Sequence, residues 1–387
     1  MQGTLWREYR NNAAYFLALL LITVAYQTVY CHVLTGGDPA GLFFAGASFH
    51  RPAELGGFVY SGFGYDGQMY RLVAHDPLNR KGYWKLLDDP RYRSRRILVP
   101  ALAALLGGRS PWRVDLSYVA VVDILLALGG VCFIRLAGGC CPPLAALALY
   151  VFLPSMVAST DRMVVDGPLV AGILAAWLFY RDRRTGALMG VLALLPVVRE
   201  TGVCFTGGVA LAYLAGRRYC HAAATAATVL PASLWWWYVA LQTKPSSAAS
   251  LLSTPLIPQV LRLFQVYHRP VAPAVGLVIE MLDSVACACL LVALGWFAVA
   301  LAKGVCRRQV DEDVLLIAPL ALLAVISSSR PIMEDPYAFM RVDTPLLIWA
   351  ALRFMRTRLL YAALYVPASS AGLLIFRASP LFRLLGG

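Results

Sequence analysis

The sequence predicts an all-α, polytopic integral membrane protein. It would have about ten or eleven membrane helices in one transmembrane domain over 1–387, and a long first exterior loop over 35–113. Three observations carry this. The chain is 59% hydrophobic and 14% charged with a mean hydropathy of +0.66, outside the range of soluble domains. Several apolar runs approach or exceed the roughly 20 residues that cross about 30 Å of hydrocarbon. Basic residues cluster beside those runs: Arg7 and Arg10, Arg181 to Arg184, Arg217 and Arg218, Lys303 to Arg308, Arg353 to Arg358. Such clusters mark cytoplasmic ends.

The clusters thread the spans in order. The first run, 12–34, has no small-residue cleavage site and is read as a retained helix leading outward. The polar loop follows, ending in an apolar piece at 97–106 that is too short to span and suits the interface. Runs at 114–134, 142–158 and 164–180 then go inward, outward and inward. Next come two short runs, 186–198 and 201–215, with basic residues at both outer ends and Arg199-Glu200 between them. That pattern predicts a short hairpin whose tip reaches into the membrane, or one broken span. The run 221–241 leads outward to the aromatic group Trp235, Trp236, Trp237 and Tyr238, a belt composition. A second exterior loop covers 242–275. Spans at 276–302, 314–327, 342–352 and 359–376 complete the count, with a short exterior segment at 328–341.

Other classes fit poorly. The net charge of +13 is spread over helix ends and forms no basic domain for nucleic acid. No internal repeat, Walker A motif or dinucleotide glycine fingerprint is present. The nine cysteines fall in or beside apolar runs, without metal-ligand spacing, and read as small packing residues.

Side chains able to do chemistry concentrate in the first loop. In Gly64-Tyr65-Asp66-Gly67-Gln68-Met69-Tyr70 a carboxylate is followed by glycine and surrounded by Tyr65, Gln68 and Tyr70, which can hydrogen-bond a hydroxyl-rich ligand. Asp66 suits a general base acting on an acceptor hydroxyl, or a simple turn cap. His75 and Asp76 follow, closed by Pro77. In Arg91-Tyr92-Arg93-Ser94-Arg95-Arg96 the last two arginines stand at headgroup level, suited to gripping a phosphate or attracting anionic lipid. Arg199 and Glu200 lie where charge is costly, so they pair with each other or Arg199 faces a bound phosphate. Asp161, Arg162 and Asp166 occupy a helix connection. Asp161 suits substrate or a divalent metal, although two aspartates five apart are no specific metal signal. Tyr337 and Arg341 belong to the last exterior segment, where Arg341 completes a phosphate clamp or snorkels to the interface.

Taken together, Tyr65-Asp66-Gly67-Gln68-x-Tyr70, His75-Asp76-Pro77, Tyr92-x-x-Arg95-Arg96-Ile97-Leu98-x-Pro100 and Arg199-Glu200-Thr201-Gly202 resemble a family of bacterial membrane proteins tied to cell-surface glycopolymer formation. That family is similar to the GT-C class of glycosyltransferases. The resemblance implies a bacterial inner-membrane enzyme with its site facing the exterior, and Asp66 as catalytic base. The donor would be a polyprenyl-phosphate-linked sugar and the acceptor a glycan or lipid. It implies no nucleotide, and leaves room for a divalent metal. Two rival readings use the same residues: a transporter or flippase of a lipid-linked glycan, and a non-catalytic subunit of a polysaccharide assembly complex.

Overall fold

The computed structural model describes residues 2–245, 254–265, 273–326, 333 and 338–385. Helix makes up 77% of it. The described residues contain no strand, only isolated bridges joining Ala45 to Gly64 and Gly46 to Tyr60, so the chain is all-α. Three helices are long and apolar enough to cross a membrane: Asn11–Thr35, Pro111–Ala137 and Ala274–Cys306. A fourth crossing is available if the bent pair Pro143–Val151 and Pro154–Arg162 forms one span. This is a membrane protein.

Two compact units make up the chain. The first comprises Met1–Arg135, Ala158–Gly202 and Leu230–Ser247. The second comprises Leu136–Val157, Val203–Val229 and Ala248–Gly387.

The first unit begins with α1 (Gln2–Thr35), followed by a short 3-10 helix, Pro39–Phe43, capped by the Asp38 carboxylate. The long loop carries secondary structure of its own: α2 (Asp66–His75), a 3-10 turn at Tyr83–Leu86, α3 (Pro90–Ser94) and α4 (Leu98–Gly107). Asp89 starts α3 by accepting the Tyr92 N–H at 3.0 Å, with Pro90 at the first helical position, where a missing N–H costs nothing. The apolar piece expected at 97–106 is α4, with Leu105 and Leu106 exposed. Gly107 lies so close to the Val114 backbone that no side chain fits there, which folds α4 tightly against the start of α5 (Pro111–Ala137).

Leu55, Met69, Leu72, Val73, Tyr83, Trp84, Leu87 and Val239 give this loop a hydrophobic core. Val239 comes from a later helix, so burial of these side chains ties the loop down.

Several expected spans are shorter or interrupted. The 142–158 run divides into α6 (Pro143–Val151) and α7 (Pro154–Arg162), bent by 60°. Pro154 lacks the N–H needed to continue α6 and opens α7 instead. The 164–180 run is α8 (Asp166–Arg181), whose 16 residues reach about 24 Å at 1.5 Å per residue. The short pair is α9 (Thr185–Val198) and α10 (Gly202–Ala215), broken at Arg199, which is extended with φ −157°. The 221–241 run divides into α11 (Tyr219–Ala227) and α12 (Leu230–Gln242). Pro231 explains that break: it has no N–H to donate back to the Ala227 carbonyl, and near the start of α12 that N–H is not needed.

The second unit packs α14 (Pro273–Cys306), α15 (Glu312–Ile326), α16 (Phe339–Thr357) and α17 (Leu359–Leu385) together, with α13 (Ile257–Arg262) against α14. Arg262, fully buried, meets Glu280 at 3.0 Å and Asp283 at 3.2 Å on α14. None of the nine cysteines, all within the described residues, is in a disulfide.

Candidate functional site

Asp66 is the first residue of α2, where the helix end favours a negative side chain. Gly67, next to it, admits no substitute. A Cβ there would stand 2.1 Å from the Arg162 carbonyl oxygen and 2.8 Å from that of Phe43. Close backbone approach thus sets the first turn of α2 against the end of α7. Gly64, at φ +76°, reverses the chain just before it, and Tyr65 donates its N–H to the Phe44 carbonyl at 2.9 Å.

The Asp66 carboxylate meets Arg93 Nη2 at 2.9 Å. The same guanidinium forks onto Asp88, with Nε to Oδ1 at 2.9 Å and Nη2 to Oδ2 at 2.7 Å. One arginine therefore bridges two carboxylates. Burial alone would disfavour the charged form of Arg93, but Asp66 and Asp88 outweigh it and hold its pKa well above the ordinary value. Burial would likewise raise Asp88, yet the Arg93 contact leaves it below the ordinary carboxylate range.

Arg96 builds the adjoining pair. Its Nε and Nη2 reach Glu200 at 2.9 and 2.5 Å, its Nη1 donates to the Tyr70 hydroxyl, and its plane stacks 4.0 Å from the Tyr92 ring centroid. Arg199 pairs with Asp166 at the start of α8.

Arg95 differs from its neighbours. It stacks 5.8 Å from the Trp236 ring, and its buried Nε has no hydrogen-bond partner. Arg91, by contrast, is spent on α12 and the residues after it, donating to the carbonyls of Ala240 and Thr243. Trp235 and Tyr238, expected as belt residues, donate to the carbonyls of Ser94 and Leu78 and hold the loop to α12.

The structure brings together Asp66, Tyr70, Arg96 and Glu200 from the sequence-derived set, with Tyr65 at the edge. It places the others elsewhere. Gln68 is buried and braces the preceding turn, donating to Phe63 O at 2.8 Å and accepting from Gly46 N at 3.0 Å. His75 and Arg71 both bind the buried Asp115 of α5, at 2.9 Å and at 2.9 and 2.7 Å. Asp76 accepts the N–H groups of Arg80, Lys81 and Tyr83 and shapes the turn after α2. Asp161 is fully buried beside Arg162, at 3.4 Å. Arg341 is buried on α16 of the second unit, and Tyr337 lies outside the described residues. Arg93, Asp88 and Tyr92 were absent from the expected set. The signal for Arg93 was its spacing of three from Arg96, which puts both on one side of a helical turn.

Among the described residues no three His, Cys, Asp or Glu side chains converge as a metal site. No protein-family model, no curated protein and no solved structure matches this chain.

Proposed function

We propose that this protein is a membrane glycosyltransferase of GT-C type that moves a sugar from a polyprenyl-phosphate carrier to an acceptor hydroxyl on the exterior face. In this reading the shorter apolar helices join the long spans to give ten or eleven crossings, and the Asp66 loop lies outside the bacterial inner membrane. The observation that carries the reading is the setting of Asp66. It is a partly exposed carboxylate, 16% accessible, oriented by Arg93, whose guanidinium shares the Tyr70 ring with that of Arg96.

The chemistry follows from those groups. Asp66 accepts the proton of the acceptor hydroxyl as its oxygen attacks the anomeric carbon. The bond to the carrier phosphate breaks, and the phosphate leaves with the bonding pair. A single displacement inverts that carbon. Fixed positive charge beside the leaving group is the main electrostatic aid. Arg95 is the arginine best suited to supply it, because Arg96 and Arg199 are already matched by Glu200 and Asp166. The acceptor is a glycan or a lipid.

A deletion strain tests the reading against transport. Loss of a transferase leaves the lipid-linked sugar on the outer leaflet, open to a membrane-impermeant glycosidase or periodate. Loss of a flippase leaves it on the inner leaflet, protected until the membrane is permeabilised. Protected material would overturn the transferase reading.

A further inference from the structure

The arginines nearest Asp66 are already occupied by carboxylates before any ligand arrives. Arg93 meets Asp66 and Asp88, and Arg96 meets Glu200, two cations against three anions. A phosphate entering this cluster adds negative charge, so a carboxylate must give up its place for the binding to be strong. The three carboxylates differ in how easily they can do so. The side chain of Asp66 is 16% accessible, that of Glu200 24% and that of Asp88 46%. Asp88 also occupies the Nε–Nη2 edge of Arg93, the two-pronged edge that accepts carboxylate and phosphate oxygens alike.

We propose that Asp88 is a displaceable place-holder: two non-bridging oxygens of the lipid-carrier phosphate, a diester in the donor and a monoester once the sugar has left, take its two oxygen positions on Arg93, while the Arg93–Asp66 contact stays and aligns the base. The geometry supports an exchange with little rearrangement. Arg93 is 11% accessible, lies between the rings of Tyr70 at 6.0 Å and Tyr92 at 5.4 Å, and needs no new position. Asp88 precedes the N-cap of α3 and its side chain can turn to water without unwinding that helix, because Asp89 does the capping. Arg93 keeps Asp66 and gains the phosphate as Asp88 leaves, so the buried guanidinium is never left without an anion. The exchange moves no proton and makes no covalent bond. Arg93 thereby becomes a substrate-binding residue, and the site accepts one phosphate in place of one carboxylate.

This inference rests on the phosphate-carrier reading above. Its test uses the purified full-length chain in detergent, with farnesyl phosphate as probe and farnesol as the control lacking phosphate. Asp88→Asn removes the competing charge at nearly constant shape and is expected to tighten farnesyl phosphate binding about two- to fivefold. Farnesol binding stays unchanged. Arg93→Gln is expected to weaken farnesyl phosphate binding at least tenfold. Thermal unfolding of each variant checks that the fold is retained. If wild type binds while Asp88→Asn binds equally or more weakly, or Arg93→Gln binds like wild type, the place-holder role is wrong and the carrier reading stands. If neither wild type nor Asp88→Asn binds the phosphate, both fall together.

Discussion

Arg93 and Asp66 are joined by a 2.9 Å contact that no pattern in the loop announces, and it sets the direction of the carboxylate on which the proposed chemistry depends. Twenty-seven positions apart in sequence, the two residues sit on different helical pieces, α3 and α2, that pack against each other. The expectations below follow from that arrangement and its supports.

Arg93→Lys keeps the charge and loses the fork that holds Asp88 and Asp66 at once. A single ammonium cannot reproduce both contacts. Activity should fall by about 10- to 100-fold, the scale of a misplaced catalytic group. The measurement is turnover in proteoliposomes beside thermal unfolding, with unfolding nearly unchanged.

Gly67→Ala should damage the fold and the site together. Its methyl would meet the Arg162 carbonyl, a backbone atom that cannot swing aside. Overpacking of this kind costs about 1–3 kcal/mol. A lower unfolding temperature and loss of activity in the same variant are expected. Stability equal to wild type would show that α2 and α7 are less closely set.

The buried trio of Arg71, His75 and Asp115 is a support, not part of the reacting group. Asp115→Ala removes the partner of a buried guanidinium and should cost about 3–5 kcal/mol. Low membrane abundance is the expected readout. Normal abundance and stability would contradict the assignment.

Glu200 neutralises the buried Arg96 guanidinium. Glu200→Gln leaves that cation without its anion and should lower the unfolding temperature in detergent. An unfolding temperature equal to wild type would contradict the Arg96 pairing.

Much of the framework was legible because local chemistry determined it. Apolar run length located α1, α5 and α14, and the Arg199-Glu200 break between two short runs located the turn between α9 and α10. The proline breaks at Pro154 and Pro231 were present in the sequence as well, inside runs whose hydropathy alone suggested continuous spans. The loop proved a folded element because Asp89-Pro90 starts a helix and Trp84 and Met69 build a core, signals masked by its polar average. Asp66 stood out through its glycine neighbour. The partners did not, since Arg96 meets Glu200 across 104 positions and Arg199 meets Asp166 on another helix. Those choices depend on packing between distant helices, which residue spacing does not encode. Gln68, His75 and Asp76 looked like ligand groups by type, and the fold employs their polar atoms internally.

The central claim is that Asp66 acts as the base of a glycosyl transfer from a lipid phosphate. Mass spectrometry of polyprenyl-linked sugars and surface glycans, in cells carrying wild type or Asp66→Asn at equal membrane abundance, tests it most directly. The account predicts loss of one glycan modification together with build-up of a polyprenyl-phosphate sugar in the variant. Unchanged glycans and lipids in Asp66→Asn cells, alongside a defect in the deletion strain, would contradict it.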